Sequence, residues 1–405
     1  MAVVSGILTT TNTDNQDLVG EWQSGILVRT GGNQDLGAVL FPILTKLGVE
    51  VADSHLFNWF ERWPTKANFN APAAAVVGAT TLNFNDGQTP PTDLAPLLSK
   101  GTVLRNTRTG EYIIVTADPA GADVTVTRGA LGTTAAAVTA GDNWALVTRS
   151  SGEDGSIRRA SYENPLVLTN YLQRFDQTVR LSDLLKGNRL RSDDKGALFE
   201  RRLQAAERIC KDIELAFFDG KRNAVTTADG TMYLTGGVRD AVQSTAPDNL
   251  ISGDATDKSI AIGDFNAWLE NVMLNGTQNK IIYCGPKFYS AISHLANSAE
   301  AGFRIVGPLE TLWGMHIQTI KTPHGDIDLC LHPMFKEMPS HHSSAYILDL
   351  GLVVQKTMDK LELIGNCENP EKFGTAENYR AILGLKLKNP TAFGVADNIS
   401  VILPA

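Results

Sequence analysis

The sequence predicts an α+β fold, and three stretches carry the prediction. Residues 193–220 (DDKGALFERRLQAAERICKDIELAFFDG) place Phe199, Leu203, Ala206, Cys210, Ile213 and Phe217 at alternating spacings of four and three, one apolar stripe along a helix. Residues 100–150 alternate instead: Val124 and Val126 stand between threonines, with the period of two of a half-buried strand. Residues 256–350 mix helix and strand signals as an α/β unit with a core of its own. At 405 residues the chain is longer than one hydrophobic core usually supports, so two or more domains are expected.

Taken in order, residues 1–55 are rich in Thr, Asn, Gly and Gln and poor in periodicity. Their one apolar segment, LGAVLFPILTKLGV (36–49), holds Pro42, which is expected to interrupt any helix, so the segment reads as an extended arm that packs on something else, such as another subunit. LFNWFERW (56–63) then brings Phe57, Trp59, Phe60 and Trp63 close together. From residue 102 the chain reads TVLRN, EYIIVTA, a DPAG turn at 118–121, DVTVTRG and DNWALVTRS, a compact β insert over about 100–150.

The 193–220 helix has Asp193 or Asp194 as a cap, Glu207 and Lys211 as an i,i+4 pair, and Gly220 as a stop. Its length, roughly 39 Å at ~1.5 Å per residue, is large for a globular helix. The α/β unit begins with a helix at 264–274, a strand at 280–285 and a helix opening at Pro286, followed by strands within 303–322, 326–333 and 344–350. The tail from 361 returns to strands and is expected to rejoin the region around the long helix.

Composition excludes several function classes. The longest apolar runs, such as AYILDLGLVV (345–354), carry charge and fall short of the ~20 residues of a membrane span. MAVVSGILTTTNTDNQ lacks the basic and apolar regions of a secretory signal, and the four scattered cysteines read as reduced thiols of a cytosolic protein. A net charge of −8 opposes a role as a duplex-DNA reader.

Sites for chemistry are equally sparse. TVTRGALGTTAAA (125–137) resembles a phosphate cradle, but Gly132 is followed by Thr133 and Thr134 rather than lysine, and the next element is a strand, so a turn is expected. Cys330 and His332 would share a strand face, yet neither they nor His316, His324, His341 and His342 show zinc spacing, and no metal or cofactor is predicted. Glu310, near Trp313, comes closest to an acid in an apolar setting, and no catalytic residue is assigned. Arg174, Arg180, Lys186, Arg189, Arg191, Arg201 and Arg202 interleave with Asp176, Asp183, Asp193, Asp194 and Glu200. Such a mixed-sign face suits contacts between copies of one chain better than nucleic acid.

The order of these segments resembles a tailed-phage major capsid protein of the Hong-Kong-97-type fold. GTVLRNTRTGEYIIVTADPAGADVTVTRGALGTTAAAVTAGDNWALV is similar to the β insert of one capsid subfamily. YLQRFDQTVRLSDLL with the 193–220 helix is similar to the strand and spine helix of the peripheral domain, and NKIIYCGPKFYSAISHL to a strand–helix step of the axial domain. The resemblance implies an N-terminal arm (1–55), an extended loop (56–160) carrying the β insert, a peripheral domain (161–255), an axial domain (256–348) and a return to the peripheral domain (349–405).

It further implies a non-enzymatic subunit that self-assembles into pentamers and hexamers of an icosahedral shell around double-stranded DNA, contacted without sequence specificity. Trp59, Glu61, Arg62, Trp63, Arg174, Arg201 and Arg202 are the candidate intersubunit contacts. Implied partners are other copies of the chain, a separate scaffolding protein, a portal and a decoration protein, with no membrane, assembly in the host cytoplasm and a final place in the virion. The scaffold is expected to be separate because residues 1–50 lack the charged helical character of a fused one. Nothing marks Lys66 or Lys100 for an isopeptide cross-link, and none is predicted. The competing readings are an encapsulin-like compartment shell and a hydrolytic enzyme with a β accessory module.

Overall fold

A computed structural model describes residues 40–47, 49–62, 66–86, 94–119, 121–153, 164–187, 197–228, 230–297, 304–312, 315–322, 325–368 and 374–403. Their helices are α1 (Leu40–Leu47), α2 (Asp183–Gly187), α3 (Ala197–Asp219), α4 (Val238–Thr245), α5 (Ile262–Met273), α6 (Pro286–Asn297) and α7 (Pro333–Glu337). The chain divides into two compact units, one of Met1–Trp59 with Thr169–Ala405, the other of Phe60–Leu168.

In the larger unit a four-stranded sheet runs in the order Val49–Val51, Val353–Ile364, Thr375–Leu387, Gln173–Leu181. Its first pair is parallel and the others antiparallel. α3 packs on one face, burying Ile209, Cys210, Ile213, Phe217 and Phe218 with Phe175, Ala381, Leu383 and Leu385. The periodic stripe is therefore right for the second half of the helix only. Phe199 is 46% exposed, because the buried cluster begins at Ile209 and does not extend to the first turns. Lys211 reaches across to Glu337 of α7 at 2.7 Å instead of pairing with Glu207.

Pro42 does not break α1. It is the third residue of the helix, in the first turn, where backbone N–H groups have no intrahelical acceptor to lose. Leu40, Phe41 and Leu44 are buried in the same core as α3, so this part of the expected arm belongs to the body. On the sheet's opposite face, Ala52, Phe57 and Leu172 form a small cluster against Trp59 and Ile382. Gly384 makes it possible: a Cβ there would stand 2.9 Å from Phe57 Cε1, Leu172 Cδ2 and Tyr171 O.

A seven-stranded sheet has the order Leu250–Ser252, Gly394–Asp397, Ala345–Leu348, Asn279–Cys284, Gly325–Leu331, Met315–Thr322, Arg304–Leu312. Neighbouring residues of one strand face different cores. Ile282 and Cys284 join Phe265, Trp268 and Val272 of α5 and Phe288 and Ile292 of α6, while Tyr283 joins the α3 core. Burial on both faces explains the near-continuous apolar character of KIIYC and AYIL. Lys280 is buried and donates to the carbonyls of Val272, Asn275 and Ala392, closing the end of α5, and burial lowers its pKa to about 8. The tail divides between the sheets: Thr375–Leu387 returns to the four-stranded one, but Gly394–Asp397 enters the seven-stranded one. Val401–Leu403 pairs with Ser259–Ala261. Residues 349–405 thus contribute to both sheets.

The smaller unit is a six-stranded antiparallel sheet in the order Asn68–Ala71, Asp142–Arg149, Thr102–Asn106, Tyr112–Val115, Asp123–Ala130, Thr81–Asn83. The insert expected at 100–150 thus recruits two earlier strands. They contribute Phe69, Leu82 and, just beyond, Phe84 to a core with Leu104, Ile113, Val124 and Trp144. Phe84 meets Phe69 and Trp144 edge-on at 6.3 and 6.2 Å. The excursion therefore has a core of its own. Leu56–Glu61 and Leu166–Tyr171 form a two-stranded ribbon where the chain leaves and returns.

Candidate functional site

The cradle-like stretch is occupied by the chain itself. Gly129, Leu131 and Gly132 have φ of 58°, 55° and 78°, so the loop turns through left-handed residues that aim backbone N–H groups inward. The buried carboxylate of Glu111 sits among them, accepting from Gly129 N at 3.0 Å and Ala136 N at 3.1 Å. Arg128 donates to both its oxygens at 2.7 Å. Burial would raise the Glu111 pKa, but Arg128 and the two amides outweigh it and hold it low. The anion these donors hold is Glu111. A second such cluster joins Arg108 to Asp142 at 2.6 and 2.7 Å, with Asn106 and Thr139 N completing the carboxylate.

In the larger unit a cleft of about 440 Å³ is lined by Asp219, Arg239, Lys258, Ser340, His341 and Asp397, among others. Asp219 accepts from Arg239 Nε at 2.6 Å, Tyr346 OH at 2.5 Å and His341 Nε2 at 2.5 Å. Arg239 also pairs with Asp397. Burial would raise the Asp219 pKa; His341, Tyr346 and Arg239 together bring it down to about 2. Ser340 Oγ lies 2.8 Å from His341 Nδ1, so hydroxyl, imidazole and carboxylate form a chain. Because Asp219 is shared with Arg239 and Tyr346, the cluster ties α3, α4 and two strands together.

The remaining histidines are structural or lie elsewhere. His332 Nε2 is 2.9 Å from the buried Glu214. His342 contacts the Lys336 carbonyl at 3.1 Å, and His316 sits on the Met315–Thr322 strand. His324 and Trp313 lie outside the described residues. Among the described residues no three His, Cys, Asp or Glu side chains converge as a metal site.

The candidate contact residues are divided between the two units. Trp59 is half-buried and stacks on Phe57 at 5.9 Å, at the base of the excursion. Glu61 is half-buried at the end of its strand, Arg62 is exposed, and Trp63 lies outside the described residues. Arg174 is exposed on the Gln173–Leu181 strand, opposite Ile382. Arg201 is exposed and donates to Gln204 Oε1 at 3.1 Å. Arg202 is committed within the chain, where its guanidinium makes a two-pronged ion pair with Glu377 that fastens α3 to the sheet. The sequence reading missed Glu111, Glu214 and Asp219; the His341 and Tyr346 partners of Asp219 and the Leu40 partner of Glu214 lie more than 100 residues away and leave no local signal, whereas Glu111 pairs with Arg128 only 17 residues on.

These clusters spend their charge on holding the chain's own elements together, the pattern of a structural protein. The chain belongs to the SU10 major capsid protein family, whose model matches residues 36–400. It is a phage major capsid protein and not an enzyme. It is 23% identical over 386 residues to the major capsid protein of Pseudomonas phage PaMx41, covering 93% of this chain and 88% of that one. Among solved structures it is similar to the capsid of a native GTA particle, at TM-score 0.44 and 11% identity, over 96% of this chain and 99% of that one. It is also similar to the cyanophage A-1(L) capsid, at TM-score 0.43 and 12% identity, over 63% and 85%. The holo-SrpI encapsulin of Synechococcus elongatus PCC 7942 gives TM-score 0.41 and 14% identity, over 61% and 80%.

Proposed function

We propose that the chain is the shell subunit of a tailed, double-stranded DNA phage, built on the Hong-Kong-97-type fold and assembling through pentamers and hexamers. The observation that carries this reading is the family match across residues 36–400. On this reading the four-stranded sheet with α3 is the peripheral domain and the seven-stranded sheet the axial domain, crowding around the five- and six-fold axes. The excursion reaches over an adjacent subunit. The ribbon at its base supports this: Phe60, Leu166 and Val167 are exposed on a two-stranded sheet, and such a sheet is marginal without further cover.

Glu61, Arg62, Trp63, Arg174 and Arg201 are the proposed contacts to neighbouring copies. Trp59 and Arg202 support them from within their own chain. A separate scaffolding protein, a portal, a decoration protein and non-specifically held DNA complete the proposed partners, with assembly in the host cytoplasm. The test is particle size of the purified chain by light scattering and electron microscopy, alone and co-expressed with its scaffolding protein. Closed shells or discrete rings of five and six are expected. A chain that stays monomeric under both conditions would overturn the proposal.

A further inference from the structure

The carboxylate of Glu214 joins three separate elements of the larger unit. It is fully buried on α3, in an apolar core, where an unpartnered charge would be strongly unfavourable. Its Oε1 accepts from Leu40 N at 2.6 Å and its Oε2 from Phe41 N at 2.8 Å, both in the first turn of α1. His332, at the end of the Gly325–Leu331 strand, places Nε2 2.9 Å from Oε1. The His332 ring is held in an aromatic enclosure, with Phe335, Phe218 and Tyr283 centroids at 4.4, 5.4 and 5.8 Å.

A helix start needs acceptors for its leading N–H groups, supplied by a neighbouring side chain or by water. Here the cap comes from 174 residues further along the chain. α1 is only eight residues long, too short to persist without tertiary support.

We propose that Glu214 is the anchor that fixes the start of α1 on α3, with His332 holding the carboxylate in place from the seven-stranded sheet. Glu214 is thus a positioning residue, and the seat of α1 is set by one buried carboxylate. This inference does not depend on shell formation and is tested on the purified full-length chain.

Hydrogen exchange resolved to Leu40–Leu47 and to α3 distinguishes anchoring from general stability. In Glu214→Met, which keeps the volume and removes both acceptors, exchange over Leu40–Leu44 should quicken at least about tenfold, with the second half of α3 still protected. Limited proteolysis should then cut near residue 40 sooner than in the unaltered chain. Glu214→Gln keeps the shape and one acceptor oxygen but turns an amide NH₂ toward the donors, so it should fall between. Protection of α1 equal to the unaltered chain in both variants would overturn the proposal. So would loss of α3 protection together with α1, because the carboxylate would then serve the whole core rather than α1.

Discussion

Asp219 concentrates more of the larger unit's polar bonding than its neighbours do, and its titration is open to measurement. Its folded pKa, about 2, lies below its ordinary value because His341, Tyr346 and Arg239 all favour the charged form against the opposing effect of burial. A depressed carboxylate adds stability above its unfolded pKa and loses it as pH falls through the folded one. The window is therefore about pH 4 down to about pH 2, and the contribution is on the order of 2 kcal/mol. Asp219→Asn should weaken the protein above pH 4 and flatten the acid limb of a denaturant-midpoint series. An unchanged slope between pH 4 and 2 would show that the carboxylate is not paired in solution as it is in the fold. Glu111 makes the complementary point about reading residues. The glycines of 125–137 form the turn that the sequence predicts, and the acceptor for its backbone N–H groups is the side chain of Glu111, just before the Tyr112–Val115 strand.

At the scale of elements, α3 shows how a periodic stripe and actual burial come apart. Ile213→Ala, at a fully buried position, should cost about 2–4 kcal/mol by chemical denaturation, whereas Phe199→Ala should stay within about 0.5 kcal/mol. Equal losses at both positions would mean that the first turns are covered in the folded protein. The same contrast explains what was legible in the sequence. α3, α5 and α6 and the strands between 102 and 149 are long or strongly patterned, and their periods marked them. α1 was misread because Pro42 was taken as a breaker when its position in the first turn makes it harmless. Asn68–Ala71 and Thr81–Asn83 were missed because strands of four and three residues, set among alanines and threonines, carry too little alternation to register. The contacts of Arg202 with Glu377 and of Glu214 with Leu40 span 175 and 174 residues, and no local pattern encodes such pairs.

At the scale of the molecule, the division into two units has a direct test. The smaller unit closes its own six-stranded sheet over an aromatic centre of Phe69, Phe84 and Trp144. A fragment of residues 66–153 should therefore fold alone, giving dispersed amide resonances and one cooperative melt. A fragment that remains disordered would mean that the sheet needs the rest of the chain. Only two of its strand pairs join sequence neighbours; Asn68–Ala71 pairs with Asp142–Arg149 and Thr81–Asn83 with Asp123–Ala130, so closing the sheet awaits distant partners and should slow its formation.

The paired ribbon at the base of that unit has an engineering corollary. Because Leu56–Glu61 and Leu166–Tyr171 run side by side, everything between them enters and leaves through adjacent ends, roughly 5 Å apart at the spacing of hydrogen-bonded strands. The β module is in that sense a cassette. A foreign domain with neighbouring termini, spliced onto the same two strands, is expected to leave the path of the remaining polypeptide unaltered.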